Sequence, residues 1–236
     1  MISALVMIAA VLLIILMDVF WVNFVVFALL LYLSLSEAKR LFALQSASPL
    51  PALLAFILGN FNDKVLFCGL LMVALMAGYL AYKKSENFNP LLIHIYPTLP
   101  LLALWQVYLS GGIFAIFWLI VIVVLCDSGA YFIGKNFGQR PLCQTSPNKT
   151  LEGAIGGVLC GLVGGCLVGV FVHEFLFCVT LSFCVSVLAV LGDLIESYFK
   201  RRAGLKDSGD FIPGHGGILD RIDAIIIAAL GMVVFL

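Results

Sequence analysis

The sequence predicts an all-α, polytopic integral membrane protein, and three observations carry that prediction. First, 63% of the 236 residues are hydrophobic and only 11% are charged, giving a mean hydropathy of +1.17. A soluble domain carries about 25% charged residues, so this chain lacks the charge to cover a water-facing surface. Disordered chains are poor in apolar residues and are excluded as well. Second, apolar runs recur near the ~20-residue length that a helix needs to cross a bilayer. Third, the basic residues fall almost entirely on one side of the helices so drawn, as cytoplasmic loops require. Thirteen basic residues balance thirteen acidic ones, which argues against a nucleic-acid partner, since that would call for a basic excess or patch.

The elements follow in order. The first 36 residues hold one charge, Asp18, and are too long for a single span. Asp18 and Asn23 mark a tight turn between helices near 2–17 and 20–36. The stretch before Asp18 has no basic leader and runs past signal-peptide length, so it reads as a span. An apolar segment near 49–59 is short enough to be re-entrant. Further helices are expected near 65–82, 91–109, 112–126, 153–172, 176–196 and 220–236, about nine in all. Lys39, Arg40, Lys83, Lys84, Lys135, Arg140, Lys149, Lys200, Arg201, Arg202, Lys206 and Arg221 then share one side, and Lys64 alone takes the other. The N-terminus is therefore placed in the cytoplasm and the C-terminus outside. Trp105 and Tyr108, and likewise Tyr79 and Tyr82, sit at helix ends where interfacial anchors are expected.

Seven cysteines follow neither CxxC nor zinc-ligand spacing, and they read as small apolar side chains. Glycines at 153, 157, 161, 165 and 169 form a small-residue stripe that permits close helix contact. Packing inside the chain is the expected use of that stripe, with a homodimer face as the alternative.

Charge is concentrated late in the chain. Residues 193–223 hold eleven of the 26 charged residues, and a second polar stretch at 127–152 holds Asp127, Lys135, Arg140, Lys149 and Glu152. A connecting loop needs few charges, and several of these acids sit at or inside helix ends. Asp193, Ser197 and Lys200 share one helix face. Asp193 and Glu196 lie near a C-terminal helix end, where the dipole disfavours acids, so a cation must answer them. Asp220 is explicable as a cap at a helix start; Asp223, one turn further in, is not. Bringing these two helix ends together would gather carboxylates suited to Mg²⁺, which uses one or two protein carboxylates plus substrate phosphates. Lys200, Arg201, Lys206, Arg221 and His215 stand nearby in sequence, a composition that fits a polyphosphate substrate. Gly214, Gly216 and Gly217 flank His215 and would let backbone N–H groups approach a ligand. Ser146 and Pro147 form a suitable N-cap and first-position pair, and Lys149 and Thr150 at the same helix start make an anion site. The Walker P-loop spacing is absent.

These residues resemble a known family. Ser197-Tyr198-Phe199-Lys200-Arg201, then Lys206-Asp207, then His215-Gly216-Gly217-Ile218-Leu219-Asp220-Arg221-Ile222-Asp223 is similar to the signature of the phosphatidate cytidylyltransferases, or CDP-diacylglycerol synthases. The run Gly192 to Ser197 resembles the approach to that signature. Asp127 to Tyr131, Gly134, Gly138 and Ser146 to Gly153 resemble the family's middle motif, with Asn148 where a basic residue is common. The resemblance covers residues 111–236, a catalytic membrane region. Residues 1–110 match only as apolar helices, and both parts belong to one membrane-embedded unit.

The resemblance implies a membrane nucleotidyltransferase of phospholipid biosynthesis that joins phosphatidate and CTP into CDP-diacylglycerol and pyrophosphate. It implies Mg²⁺, with a second cation such as K⁺; the side on which the basic residues fall puts the site at the cytoplasmic face, and the short chain suits a bacterial inner membrane. Asp193, Asp220 and Asp223 are the expected metal ligands, with Lys200 and Lys206 as catalytic cations. Ser146, Lys149, Thr150, Ser197, Arg201, His215, Gly216, Gly217 and Arg221 are expected to bind substrate. Asp127 and Glu152 are weaker candidates, because each can simply pair with a neighbouring base. The rival activities are a CTP-dependent enzyme acting on an archaeal ether lipid or a polyprenol, and, from another class, a transporter. A transporter would place its ionisable residues at mid-membrane depth.

Overall fold

The computed structural model describes residues 17–45, 47–209 and 216–236. The helix expected at 2–17 lies outside this range except for Met17, and so does His215. The described elements are helical: α1 (Phe20–Leu41), α2 (Leu50–Asn60), α3 (Val65–Tyr82), α4 (Leu99–Phe137), α5 (Leu151–Gly169), α6 (Phe175–Arg202) and α7 (Leu219–Phe235), with short helical turns at Asn89–Leu91 and His94–Thr98. Five stretches among the described residues are long and apolar enough to cross a membrane. The protein is an all-α polytopic membrane protein.

Three expectations change in detail. Asn89–Phe137 runs as one 49-residue apolar stretch. Straight, it would measure roughly 70 Å at about 1.5 Å per residue, more than twice the ~30 Å hydrocarbon core. It breaks instead at Tyr96 (φ −133°, ψ 121°) and at Gly112 (φ 64°, ψ −163°), the latter a conformation open to glycine and strained for other residues, so the helix expected from 91 begins at Leu99 and a second follows the glycine. The second continues to Phe137 rather than stopping at 126, and α6 continues to Arg202 rather than 196. Hydropathy marks where a helix leaves the bilayer, whereas its hydrogen-bond ladder runs on into polar sequence. The short segment expected near 49–59 is α2, which has eleven residues and spans roughly 16 Å, too short to cross the bilayer alone.

The chain divides into two compact units: Met1–Gln106 with Asp207–Asp220, and Val107–Lys206 with Arg221–Leu236. In the first, Trp105 is fully buried among Phe27 (4.8 Å between ring centroids), Phe56 (5.4 Å) and Phe24 (6.0 Å). Its indole N–H donates to Asn60 Oδ1 at 3.1 Å. Trp105 is thus a core residue and not an interfacial anchor, because protein partners satisfy both its ring and its donor. Tyr79 and Tyr82, by contrast, are exposed at the end of α3, with the Lys83 ammonium 5.8 Å above the Tyr79 ring.

In the second unit the glycine stripe of α5 is buried inside the chain. A Cβ at Gly157 would fall 2.6 Å from the Cys126 carbonyl oxygen, and one at Gly165 would collide with Ser182 of α6. The Trp118 indole donates to the Gly165 carbonyl at 2.7 Å. Only small residues allow α4, α5 and α6 this contact. All seven cysteines are free, with Cys126 and Cys178 buried. At the other end of α6, Gly192 packs directly on α7, where an added Cβ would lie 2.7 Å from the Asp223 carbonyl oxygen and 2.9 Å from Ile227 Cβ. That close approach sets Asp193 and Asp223 near each other.

Candidate active site

A cavity of about 460 Å³ opens in the second unit; its lining is largely apolar but carries the charged and polar side chains of Asp127, Tyr131, Lys135, Lys149, Thr150 and Asp193. Its walls come from the polar end of α4, the start of α5 and one face of α6. The loop before α5 is shaped for this position. Thr150 takes an extended conformation, and its side-chain oxygen accepts the Gly153 N–H at 3.1 Å, capping the helix. The cap therefore falls at Thr150 and not at the Ser146-Pro147 pair expected from sequence. Ser146 sits in a turn, its carbonyl accepting the Lys149 N–H at 3.1 Å. Cβ atoms at Gly138 and Gly153 would meet Thr150 Oγ1 at 2.6 and 2.9 Å, so a glycine just past α4 and one in α5 make room for the cap. Glu152 closes the loop: it accepts the Arg140 guanidinium at 2.9 Å and the backbone N–H groups of Gln139 and Arg140 at 3.1 and 3.2 Å. This is the plain pairing expected of a weaker candidate.

The Lys149 ammonium forms an ion pair with Asp193 Oδ2. Ser197, one turn along α6, donates to Asp193 Oδ1 at 3.4 Å. Asp127 lies within electrostatic range of Asp193, Asp223 and Lys149. Asp223 hydrogen-bonds with Glu196 and feels Asp193 and Lys200. Glu196 is fully buried and receives the Lys200 ammonium at 3.2 Å. Four carboxylates therefore gather with two ammonium groups, an arrangement short of positive charge. Among the described residues, no group of three or more His, Cys, Asp or Glu side chains is placed to hold a metal by itself. Hard oxygen donors in ones and twos, beside a cavity, fit Mg²⁺ that completes its shell with substrate oxygens.

Other expected residues are placed differently. Arg201, Arg202 and Tyr198 line an open groove with Gln144, Thr145 and Pro147. Lys206 and Arg221 are exposed. Asp220, Gly216 and Gly217 belong to the first unit. There Asp220 Oδ2 accepts the Ser208 N–H (2.9 Å), the Ser208 hydroxyl (3.0 Å) and the Gly217 N–H (2.7 Å). Gly216 takes φ 81°, which only glycine adopts without strain, and a Cβ there would approach Asp220 Oδ2 to 2.8 Å. Asp220 thus organises the turn that starts α7.

A model of the cytidylyltransferase family matches residues 1–236. The chain belongs to the cytidylyltransferase family. A phosphatidate cytidylyltransferase of Helicobacter pylori is 43% identical over 201 residues, covering 84% of this chain and 76% of that protein. The phosphatidate cytidylyltransferase of Haemophilus influenzae is 43% identical over 128 residues, covering 50% of this chain and 43% of that protein. That of Bacillus subtilis is 44% identical over 119 residues, covering 49% of this chain and 44% of that protein.

Sequence reasoning missed one residue that this cytidylyltransferase-family chain depends on, Glu37. It is buried near the C-terminal end of α1, where the helix dipole disfavours an acid. Its carboxylate accepts the Ile218 and Leu219 N–H groups, each at 2.9 Å, and the Ser208 hydroxyl at 3.2 Å. Glu37 therefore caps the N-terminus of α7. A lone acid at the wrong end of an apolar helix was the available signal. Tyr131 and Lys135 were also unassigned; they line the cavity, with the Lys135 ammonium 5.7 Å above the Tyr131 ring.

Proposed function

We propose that this protein is a phosphatidate cytidylyltransferase, converting phosphatidate and CTP into CDP-diacylglycerol and pyrophosphate. The observation that carries the reading is the Lys149–Asp193 pair, which lines a cavity at the ends of membrane-spanning helices, where a lipid phosphate and a water-soluble nucleotide can meet. Relatives bearing that enzyme name, 43% identical over most of the chain, support it.

The reaction forms a bond between a phosphatidate phosphate oxygen and the α-phosphorus of CTP, breaks the bond to the β-phosphate, and releases pyrophosphate. Such chemistry needs alignment and charge neutralisation more than covalent help. Lys149 binds phosphate oxygens from the start of α5, where the helix dipole also favours an anion. Asp193 and Ser197 hold Lys149 and each other in place. Lys200, oriented by Glu196, adds a second cation. Arg201 and Arg202 hold the outer phosphates along the neighbouring groove. Asp193 and Asp223 are the residues that would hold Mg²⁺, which when bound there neutralises charge on the phosphates. The distribution of Lys and Arg supports a site on the cytoplasmic face of a bacterial inner membrane.

Purified protein given labelled CTP and dioleoyl phosphatidate should release pyrophosphate and form labelled CDP-diacylglycerol with Mg²⁺ present, and should stop on chelation. Pyrophosphate release without a lipid product, or a labelled product only with a polyprenol acceptor, would replace this reading.

A further inference from the structure

A second cavity, of about 310 Å³, adjoins the one that carries Lys149 and Asp193, and Ala154 and Val190 line both. Its remaining walls are wholly apolar and include Ile155 and Leu159 on α5 and Phe183 and Val187 on α6. On α5 the lining starts at Ala154, one turn from the Thr150 cap, and runs inward to Leu159. On α6 it runs inward from Val190 to Phe183, at the four- and three-residue steps of a single helix face. Both helices are long and apolar enough to cross the membrane. Ile155, Leu159 and Phe183 are each more than half exposed, so the groove faces the hydrocarbon. A channel that begins at a lysine–aspartate pair and continues as an apolar trough into the bilayer has the polarity profile of one ligand class: a phosphate head joined to an acyl chain.

We propose that this α5–α6 groove is the acyl-chain subsite for phosphatidate, and that Leu159 and Phe183 set the preference for long chains. The proposal rests on the reading above, and it goes further by assigning the lipid's tail to named residues. The phosphate occupies the first cavity beside Lys149, the glycerol passes between Ala154 and Val190, and one chain lies in the trough.

The test is the ratio of kcat/KM for dioleoyl over dihexanoyl phosphatidate. Leu159→Trp fills the trough and Phe183→Ala removes a wall, and each should lower that ratio about tenfold, the discrimination that small changes in an apolar pocket produce. The KM for CTP should not move. Leu167→Trp, further along the exposed face of α5, should leave the ratio unchanged. An unchanged ratio in both groove variants, or an equal fall in Leu167→Trp, overturns the proposal. If the wild type turns over neither lipid, the enzymatic reading fails and the groove is judged by labelling. Phosphatidate carrying a photoreactive group on its chain should then mark α5 and α6, and dioleoyl phosphatidate should displace that label where dioleoylglycerol does not. Equal displacement by both lipids, or no label on these helices, would end the proposal.

Discussion

Two sets of carboxylates in this protein differ in what they hold. Glu37 and Asp220 take backbone N–H groups and a serine hydroxyl, and hold the start of α7 and the turn before it. Asp193 takes side chains instead, Lys149 and Ser197, and lines a cavity of ligand size, while Asp223 combines the Glu196 side chain with a single backbone donor, the Ala224 N–H at 2.8 Å. A carboxylate saturated by main chain is part of the architecture, since removing it strands buried donors. One matched by mobile side chains can exchange those partners for a substrate or a cation. The same residue type thus serves two ends, and the donor type separates them.

The largest effect should come from the second set. Asp193→Asn keeps the shape and removes the charge, so pyrophosphate release should fall by about 10²–10³-fold, as when a single electrostatic contributor to a transition state is lost. The thermal midpoint in detergent should barely move. A variant that keeps near-normal turnover would remove Asp193 from the chemistry.

Asp220→Asn probes the boundary between the sets. Asparagine retains an oxygen for the Ser208 and Gly217 donors, so folding should persist. Asp220 lies in the stretch that resembles the phosphatidate cytidylyltransferase signature, and turnover should fall by at least about a hundredfold. If activity survives, Asp220 joins Glu37 as an anchor and nothing more. Asp220→Ala, which leaves those donors without their oxygen, should also lower the melting temperature.

Glu37 should show the converse pattern. Glu37→Ala strands the Ile218 and Leu219 N–H groups, costing about 1–3 kcal/mol for each unsatisfied buried group, and should depress the thermal midpoint well before any change in KM for CTP. A CTP-specific effect at unchanged stability would move Glu37 from the first set to the second.

The same contrast explains what the sequence disclosed. Residues that act through local spacing were legible: the Asp193–Ser197–Lys200 face, the glycine stripe, and the break in the long apolar stretch near Gly112. Residues whose partners are remote in sequence were not. Glu37 meets donors 171 to 182 positions away, and no periodicity encodes that. Trp105 looked like an anchor because its neighbours in sequence mark a helix end, while Phe24, Phe27 and Phe56 bury it from elsewhere in the chain. The ends of α4 and α6 were set too early because hydropathy reports contact with lipid and not helicity.

The smallest effect tests the loop that presents Lys149. Ser146 and Thr150 are both suitable caps, and only the register of α5 decides between them: Leu151 is its first residue, so Thr150 takes the position whose side chain reaches the Gly153 N–H. Thr150→Ala should cost about 1 kcal/mol of stability and fray the first turn of α5. Lys149 precedes the cap directly, so the variant should raise the KM for CTP more than it lowers kcat. Thr150→Ser restores the acceptor oxygen and should recover both. Ser146→Ala, in the turn, should leave stability unchanged. If Ser146→Ala were the more damaging variant, the helix start would lie where the sequence first suggested, and Lys149 would sit inside the helix instead of before it.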